Sequence, residues 1–210
     1  GMQGASLSSP NSVAACAKHF LAYSMPFNGK DRTPTHIGPI TLEDVFVPPF
    51  EAMFDADVAT LMVNSGEIDG VPVHASKPLL TDRLRDRMGF DGVVVTDWED
   101  ILKLSGIHRV AKDDREATRQ AIAAGIDVSM VPLRTDFIDH VVSLVEAGEL
   151  SEARSDESVR RILRLKEQLG VFERPMPQER RQGDMASPAA RAASLSAARE
   201  GVTLLRNSNS

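Results

Sequence analysis

The chain alternates short apolar runs with longer segments in which apolar residues recur every three or four positions. Four runs have strand length and end in polar or special residues: "VAACAKHF" (13–20), "ATLMVNSG" (59–66), "GVVVTDW" (92–98) and "GIDVSMVP" (125–132). β-Branched residues crowd the third, as in a strand covered on both faces. Helical spacing recurs between the runs. "KPLLTDRLRDRMG" puts Leu80, Leu84 and Met88 on one face, with Gly89 placed to stop the helix. "DREATRQAIAAG" aligns Ala117, Ala121 and Ala124 and stops at Gly125. "FIDHVVSLVEAG" aligns Phe137, Val141 and Leu144 and stops at Gly148. Strand, helix, strand, helix at this spacing predicts parallel β/α units.

A stronger helix is predicted in "SDESVRRILRLKEQLG", with Ser155 or Asp156 capping its first turn. Val159, Ile162, Leu163 and Leu169 form its stripe, and Gly170 ends it. "FERPMPQERRQGDMASP" combines prolines with many charges and reads as a linker. "AARAASLSAAREGVTLLRN" predicts one more helix and the start of a strand that has no partner left in the chain. Four parallel β/α units make either half of a (β/α)8 barrel or a small doubly wound sheet. The barrel is favoured because polar residues gather at the carboxyl ends of the strands. No glycine-rich phosphate loop follows any of them.

Composition narrows the function classes. With 210 residues, 42% hydrophobic and 26% charged, this is an ordinary globular chain of one domain or a little more. The net charge is −6 and no basic cluster interleaves with aromatics, so nucleic acid is not an expected partner. The single cysteine, Cys16, rules out an internal disulfide. It suits a reducing compartment without excluding secretion, and it reads as a buried structural thiol. No apolar stretch is long enough for a bilayer span, and "GMQGASLSSPNS" lacks the layout of a signal peptide. His36, His74, His108 and His140 lack ligand spacing, so no metal is expected, and there is no GxSxG elbow.

The chemistry concentrates at strand ends. Asp97 follows the strand Val93–Val95 and Thr96, at the edge where β/α folds bind substrates. It is either an ionised carboxylate facing a pocket, with Trp98 as a sugar platform, or a cap on the helix in "EDILKLSG". Lys18 and His19 end the first strand. A cation beside an imidazole can hydrogen-bond adjacent sugar hydroxyls, or the pair can serve a loop acid and the core. Glu67 in "NSGEIDG" is a pocket acid or, more simply, a turn residue before Asp69 and Gly70. Arg32 in "GKDRTP" is a further site candidate whose loss is expected mainly to raise KM.

Four segments together resemble glycoside hydrolase family 3, in its β-glucosidase and exo-β-glucanase branch. They are "SVAACAKHFLAYS", "LMVNSGEIDGVPVHASKPLLTDRLRDRMGFDGVVVTDWEDI", "AGIDVSMVP" and "SVRRILRLKEQLGVFERP". The resemblance runs in order through essentially the whole chain. It implies an α/β fold: residues 1–172 as the C-terminal half of a (β/α)8 TIM barrel, 173–187 as an interdomain linker, and 188–210 as a helix and first strand leading into a second α/β sandwich domain. It also implies retaining hydrolysis of terminal β-D-glucosyl residues, with Asp97 as the nucleophile. Lys18 and His19 would grip the sugar, and Trp98 would line the aglycone side. Many members carry a tyrosine where this sequence has Ser65, so that hydroxyl contact is lost or replaced. "KHFLAYS" differs from the "KHFPGHG" of the β-N-acetylhexosaminidase branch. In the glucosidase branch the acid/base glutamate lies on the second domain, and further sugar-binding residues lie in the first half-barrel. The 210 residues alone are therefore expected to be inactive. A β-glucoside or oligosaccharide is the implied substrate and the missing parts of the parent chain are the implied partners. No cofactor is implied, and the resemblance leaves the parent's location open among secreted, periplasmic and lysosomal. The competing reading is a half-barrel that binds carbohydrate or a protein without catalysis.

Overall fold

The computed structural model describes residues 1–176 and 186–208. The chain divides into two compact units, Gly1–Phe172 and Glu173–Ser210. In the first, strands β1 (Cys16–Phe20), β2 (Thr60–Val63) and β5 (Val93–Val95) form a parallel sheet in the order β1-β2-β5. Strands β3 (Glu67–Ile68) and β4 (Val71–Pro72) make a small antiparallel hairpin after β2. The fourth apolar run contributes a single parallel bridge, Val128 to Val95, instead of a full strand. The reason is local. Val128 exchanges backbone hydrogen bonds with Val94 and Thr96, both at 3.0 Å, but the Met130 N–H then donates to the Thr96 hydroxyl at 2.8 Å and the ladder stops.

Helices separate the strands. Between β1 and β2 lie α1 (Pro39–Thr41), a π-helical stretch Leu42–Phe46 and α2 (Pro48–Asp55). Between β4 and β5 the predicted helix is present as a π-helical segment, Pro78–Arg87. Leu80 and Leu84 are fully buried there, each worth about 1.5–3 kcal/mol of apolar transfer, and Met88 packs against the same core. Then follow α3 (Asp100–Gly106), α4 (Asp114–Ala124) and α5 (Asp136–Glu146). Ala117, Ala121 and Ala124 of α4 face the core, and Phe137, Val141 and Leu144 of α5 gather in a second small cluster. At the start of β5, a Cβ on Gly92 would lie 2.5 Å from the Ala59 carbonyl oxygen, so glycine is required for β5 to meet β2.

Helix α6 (Glu152–Gln168) begins earlier than its sequence pattern suggests. Ser151 is the cap, accepting the Arg154 N–H at 3.3 Å, so the expected caps Ser155 and Asp156 sit inside the helix. Val159 and Leu163 of the stripe are exposed, and α6 is tied to the sheet by charge instead. Buried Asp127 accepts hydrogen bonds from Arg85 at 2.8 Å, Ser158 at 2.7 Å, Arg161 at 3.2 Å and the Val94 N–H at 3.0 Å. Burial pushes the Arg85 pKa down to about 10, against the pull of Asp127. Cys16 is exposed rather than buried, because it opens β1, which has a neighbouring strand on one side only.

In the second unit, α7 (Pro188–Glu200) is capped by Ser187, which accepts the Ala190 N–H at 3.2 Å. Its residues are exposed along its length. Residues 202–207, where the start of a strand without a partner in this chain is expected, are in no ladder with described residues. Of the predicted linker 173–187, residues 177–185 lie outside the described residues. Among the described residues, no helix is long and apolar enough to cross a membrane.

Candidate active site

The order β1-β2-β5 sets the site, because it brings three strand ends side by side. His19 comes from β1, Ser65 follows β2 and Asp97 follows β5. Asn64 fixes the middle one. Its Nδ2 donates to the Leu21 carbonyl at 2.6 Å, and its Oδ1 accepts the Gly66 N–H at 2.7 Å, so Ser65 is held between two anchored residues.

The carboxylate of Asp97 is the meeting point. Its Oδ2 accepts the Ser65 hydroxyl at 2.9 Å and lies 3.4 Å from His19 Nε2. Its Oδ1 accepts the Trp98 N–H at 2.6 Å and Arg32 Nη2 at 3.3 Å. The side chain keeps 14% of its surface open. Burial works to raise its pKa, but the Trp98 N–H, Ser65, Arg32 and His19 outweigh it and hold the carboxyl below its ordinary value. Asp97 is thus ionised at neutral pH. Its side chain caps no helix: α3 starts after Glu99, which has left-handed φ and no side-chain cap.

Burial depresses His19 below its ordinary 6.5; Asp97 opposes this, and Lys18 and Arg32 reinforce it. A neutral imidazole follows, its ring centre 4.5 Å from that of Tyr23 and tilted 40° to it. The Lys18 side chain is exposed, and its ammonium makes no hydrogen bond or ion pair among the described residues, leaving it available to an incoming hydroxyl. Trp98 is 48% exposed, a large flat ring beside the carboxylate. Glu67 does not sit free in a turn. It lies on β3 and its Oε2 is 3.1 Å from His108 Nδ1.

Arg32 sits between acids. It contacts Asp97, has Nη1 3.8 Å from Asp100 Oδ1, and has Nε 3.7 Å from Asp31 Oδ2. Burial disfavours its charge, yet Asp100 and Asp97 outweigh burial and raise its pKa. Sequence reasoning passed over Tyr23, Asp31, Asn64 and Asp100. Only Asp100 carried a local signal, an Asp three residues before Lys103 on a predicted helix.

An anionic strand-end carboxylate beside a neutral imidazole, with an exposed lysine before the imidazole and a half-exposed aromatic ring after the carboxylate, lies at the edge where β/α folds bind ligands. Residues 1–165 match the model of the glycosyl hydrolase family 3 N-terminal domain, and the chain belongs to that family. A lysosomal beta glucosidase of Dictyostelium discoideum is 44% identical over 206 residues, covering 97% of this chain and 25% of that protein. A periplasmic beta-glucosidase of Salmonella typhimurium is 32% identical, covering 98% of this chain and 27% of that one. The solved beta-glucosidase of Listeria innocua in complex with glucose superposes with a TM-score of 0.91 at 32% identity, over 99% of this chain and 29% of that one. The chain thus spans about a quarter of the length of the curated relatives it matches.

Proposed function

We propose that these residues belong to a retaining, exo-acting β-glucosidase. The enzyme removes terminal non-reducing β-D-glucosyl units through a covalent glycosyl–Asp97 intermediate. The observation that carries this reading is the Asp97 carboxylate: ionised, partly open, and held by donors from two other segments, Arg32 and Ser65. A nucleophile of this kind attacks the anomeric carbon and forms a glycosyl ester as the aglycone leaves with a proton. Lys18 and His19 hold the sugar hydroxyls, and Trp98 covers the leaving-group side.

Retention needs a second carboxyl about 5–5.5 Å from the nucleophile to protonate the leaving group. Asp100 is ill suited, being 1% exposed and committed to Lys103. Glu67 is paired with His108. On this proposal, as the family resemblance implies, the acid/base lies on a second domain, so the 210 residues alone are expected to turn over little or no aryl β-glucoside. We read residues 1–172 as the second half of a (β/α)8 barrel. The strand order in support runs with the chain, β1, β2, β5, then Val128, without the reversal of a doubly wound sheet. Residues 173–187 are the linker and 188–210 the lead into a second domain.

The test is proton NMR of the full-length protein hydrolysing an aryl β-glucoside. The β-anomer of glucose as first product supports the reading; the α-anomer would refute it.

A further inference from the structure

The Asp100 backbone N–H donates to the Asp97 carbonyl at 3.4 Å, but the two carboxylates are not bonded to each other, and Asp100 is the most enclosed charge beside the site, out of reach of a substrate. Its side chain is 1% exposed. It accepts a hydrogen bond from Lys103 Nζ. His74 Nε2 lies 3.7 Å from its Oδ2, too far for a hydrogen bond, and both atoms are buried without a partner among the described residues. Arg32 Nη1 lies 3.8 Å from its Oδ1, while Nη2 of the same guanidinium is on Asp97. One forked cation is thus divided between two acids.

That division matters chemically. A guanidinium facing a carboxylate alone tends to engage both oxygens in parallel. Such a grip on Asp97 would occupy both oxygens with a cation and lower its nucleophilicity. Here the cation reaches Oδ1 only, and Oδ2 keeps the rotatable Ser65 hydroxyl and neutral His19. We propose that Asp100 is a positioning residue: with Lys103 as its counter-ion, it holds back one arm of Arg32 and so leaves Oδ2 of Asp97 able to react. This rests on Asp97 being the nucleophile.

The charge balance predicts opposite effects from its two ends. Asp97 faces His19 on β1, Ser65 after β2 and Arg32 on the loop after β1; Lys18 acts on His19, and Asp31 and Asp100 act on Arg32. Asp100 faces Arg32, Lys103 and the neutral His74. With Asp100→Asn, Arg32 turns wholly to Asp97, whose pKa falls. The acidic limb of kcat/KM moves to lower pH by about one unit, and the plateau drops about tenfold. With Lys103→Gln, Asp100 draws on Arg32 more strongly, and the limb moves to higher pH.

The experiment measures pH profiles of kcat/KM on an aryl β-glucoside for full-length wild type and both variants, with thermal melts to verify folding. Shifts of opposite sign support the proposal. Unmoved limbs, or shifts of the same sign, overturn it. Should Asp100→Asn not fold, Lys103→Gln decides alone, an upward shift supporting and an unmoved limb refuting. Asp97→Asn is assayed in parallel. If it retains activity, the nucleophile assignment itself fails; if it is dead while the two limbs stay in place, only the role of Asp100 fails.

Discussion

The Ser65 hydroxyl donates to Asp97 Oδ2 at 2.9 Å, joining the ends of two neighbouring parallel strands. The contact lies where many relatives are expected to carry a tyrosine. The resemblance leaves that contact either lost or replaced, and measuring the strength of the Ser65 bond decides between the two. Hydrogen bonds to charged groups contribute about 1.5–3 kcal/mol. In the full-length enzyme, Ser65→Ala is expected to lower kcat/KM by at least about tenfold. It should also move the acidic limb to higher pH, because a donor that favours the ionised carboxyl is gone. A pH–rate profile superimposable on wild type would mean that the contact carries no weight in the reaction.

Asp127 holds α6 to the sheet through three arginines and Ser158, with its own side chain fully buried. Asp127→Ala leaves Arg85 with a buried, uncompensated charge. Removing one partner of a buried pair typically costs about 3–5 kcal/mol. Urea denaturation of the full-length protein should register a loss of that size for the domain carrying Asp127. A change below about 1 kcal/mol would show that α6 is held by other contacts.

His74 provides a pH test of stability. It is buried beside Asp100, and desolvation drives its pKa down to about 4. The unfolded chain takes up a proton near 6.5, and the folded chain does not until about 4. Stability contributed by neutral His74 is therefore complete above 6.5 and is lost as pH falls from there toward about 4. The whole interval is worth about 3 kcal/mol. His74→Gln should flatten that slope in melting temperatures taken across pH 4–7; an unchanged slope would assign it to other groups.

Much of this was legible in the chain because period and punctuation agree. The β-branched run Val93–Val95 and the stops at Gly125 and Gly148 mark the same strand and helix ends in sequence and structure. The approach of His19 to Asp97 was legible because each directly follows or ends an apolar run. What was not legible depends on contacts between distant segments. The short fourth strand follows from the Thr96 hydroxyl capturing the Met130 N–H. The exposed stripe of α6 and its early start at Ser151 reflect tethering by Asp127, a residue with no local partner in sequence. Arg32 looked like a substrate ligand, and only the folded loop after β1 brings it onto Asp97 and Asp100.

The central claim is the covalent bond to Asp97, and trapping tests it most directly. The full-length protein is incubated with an activated 2-deoxy-2-fluoro-β-glucoside, whose fluorine slows breakdown of the glycosyl ester, and is then digested with trypsin. Tandem mass spectrometry should place the sugar on Asp97 within the peptide spanning 88–103. A sugar on Glu67, on Asp100 or on any other carboxylate, or turnover without any trapped ester, would contradict the account.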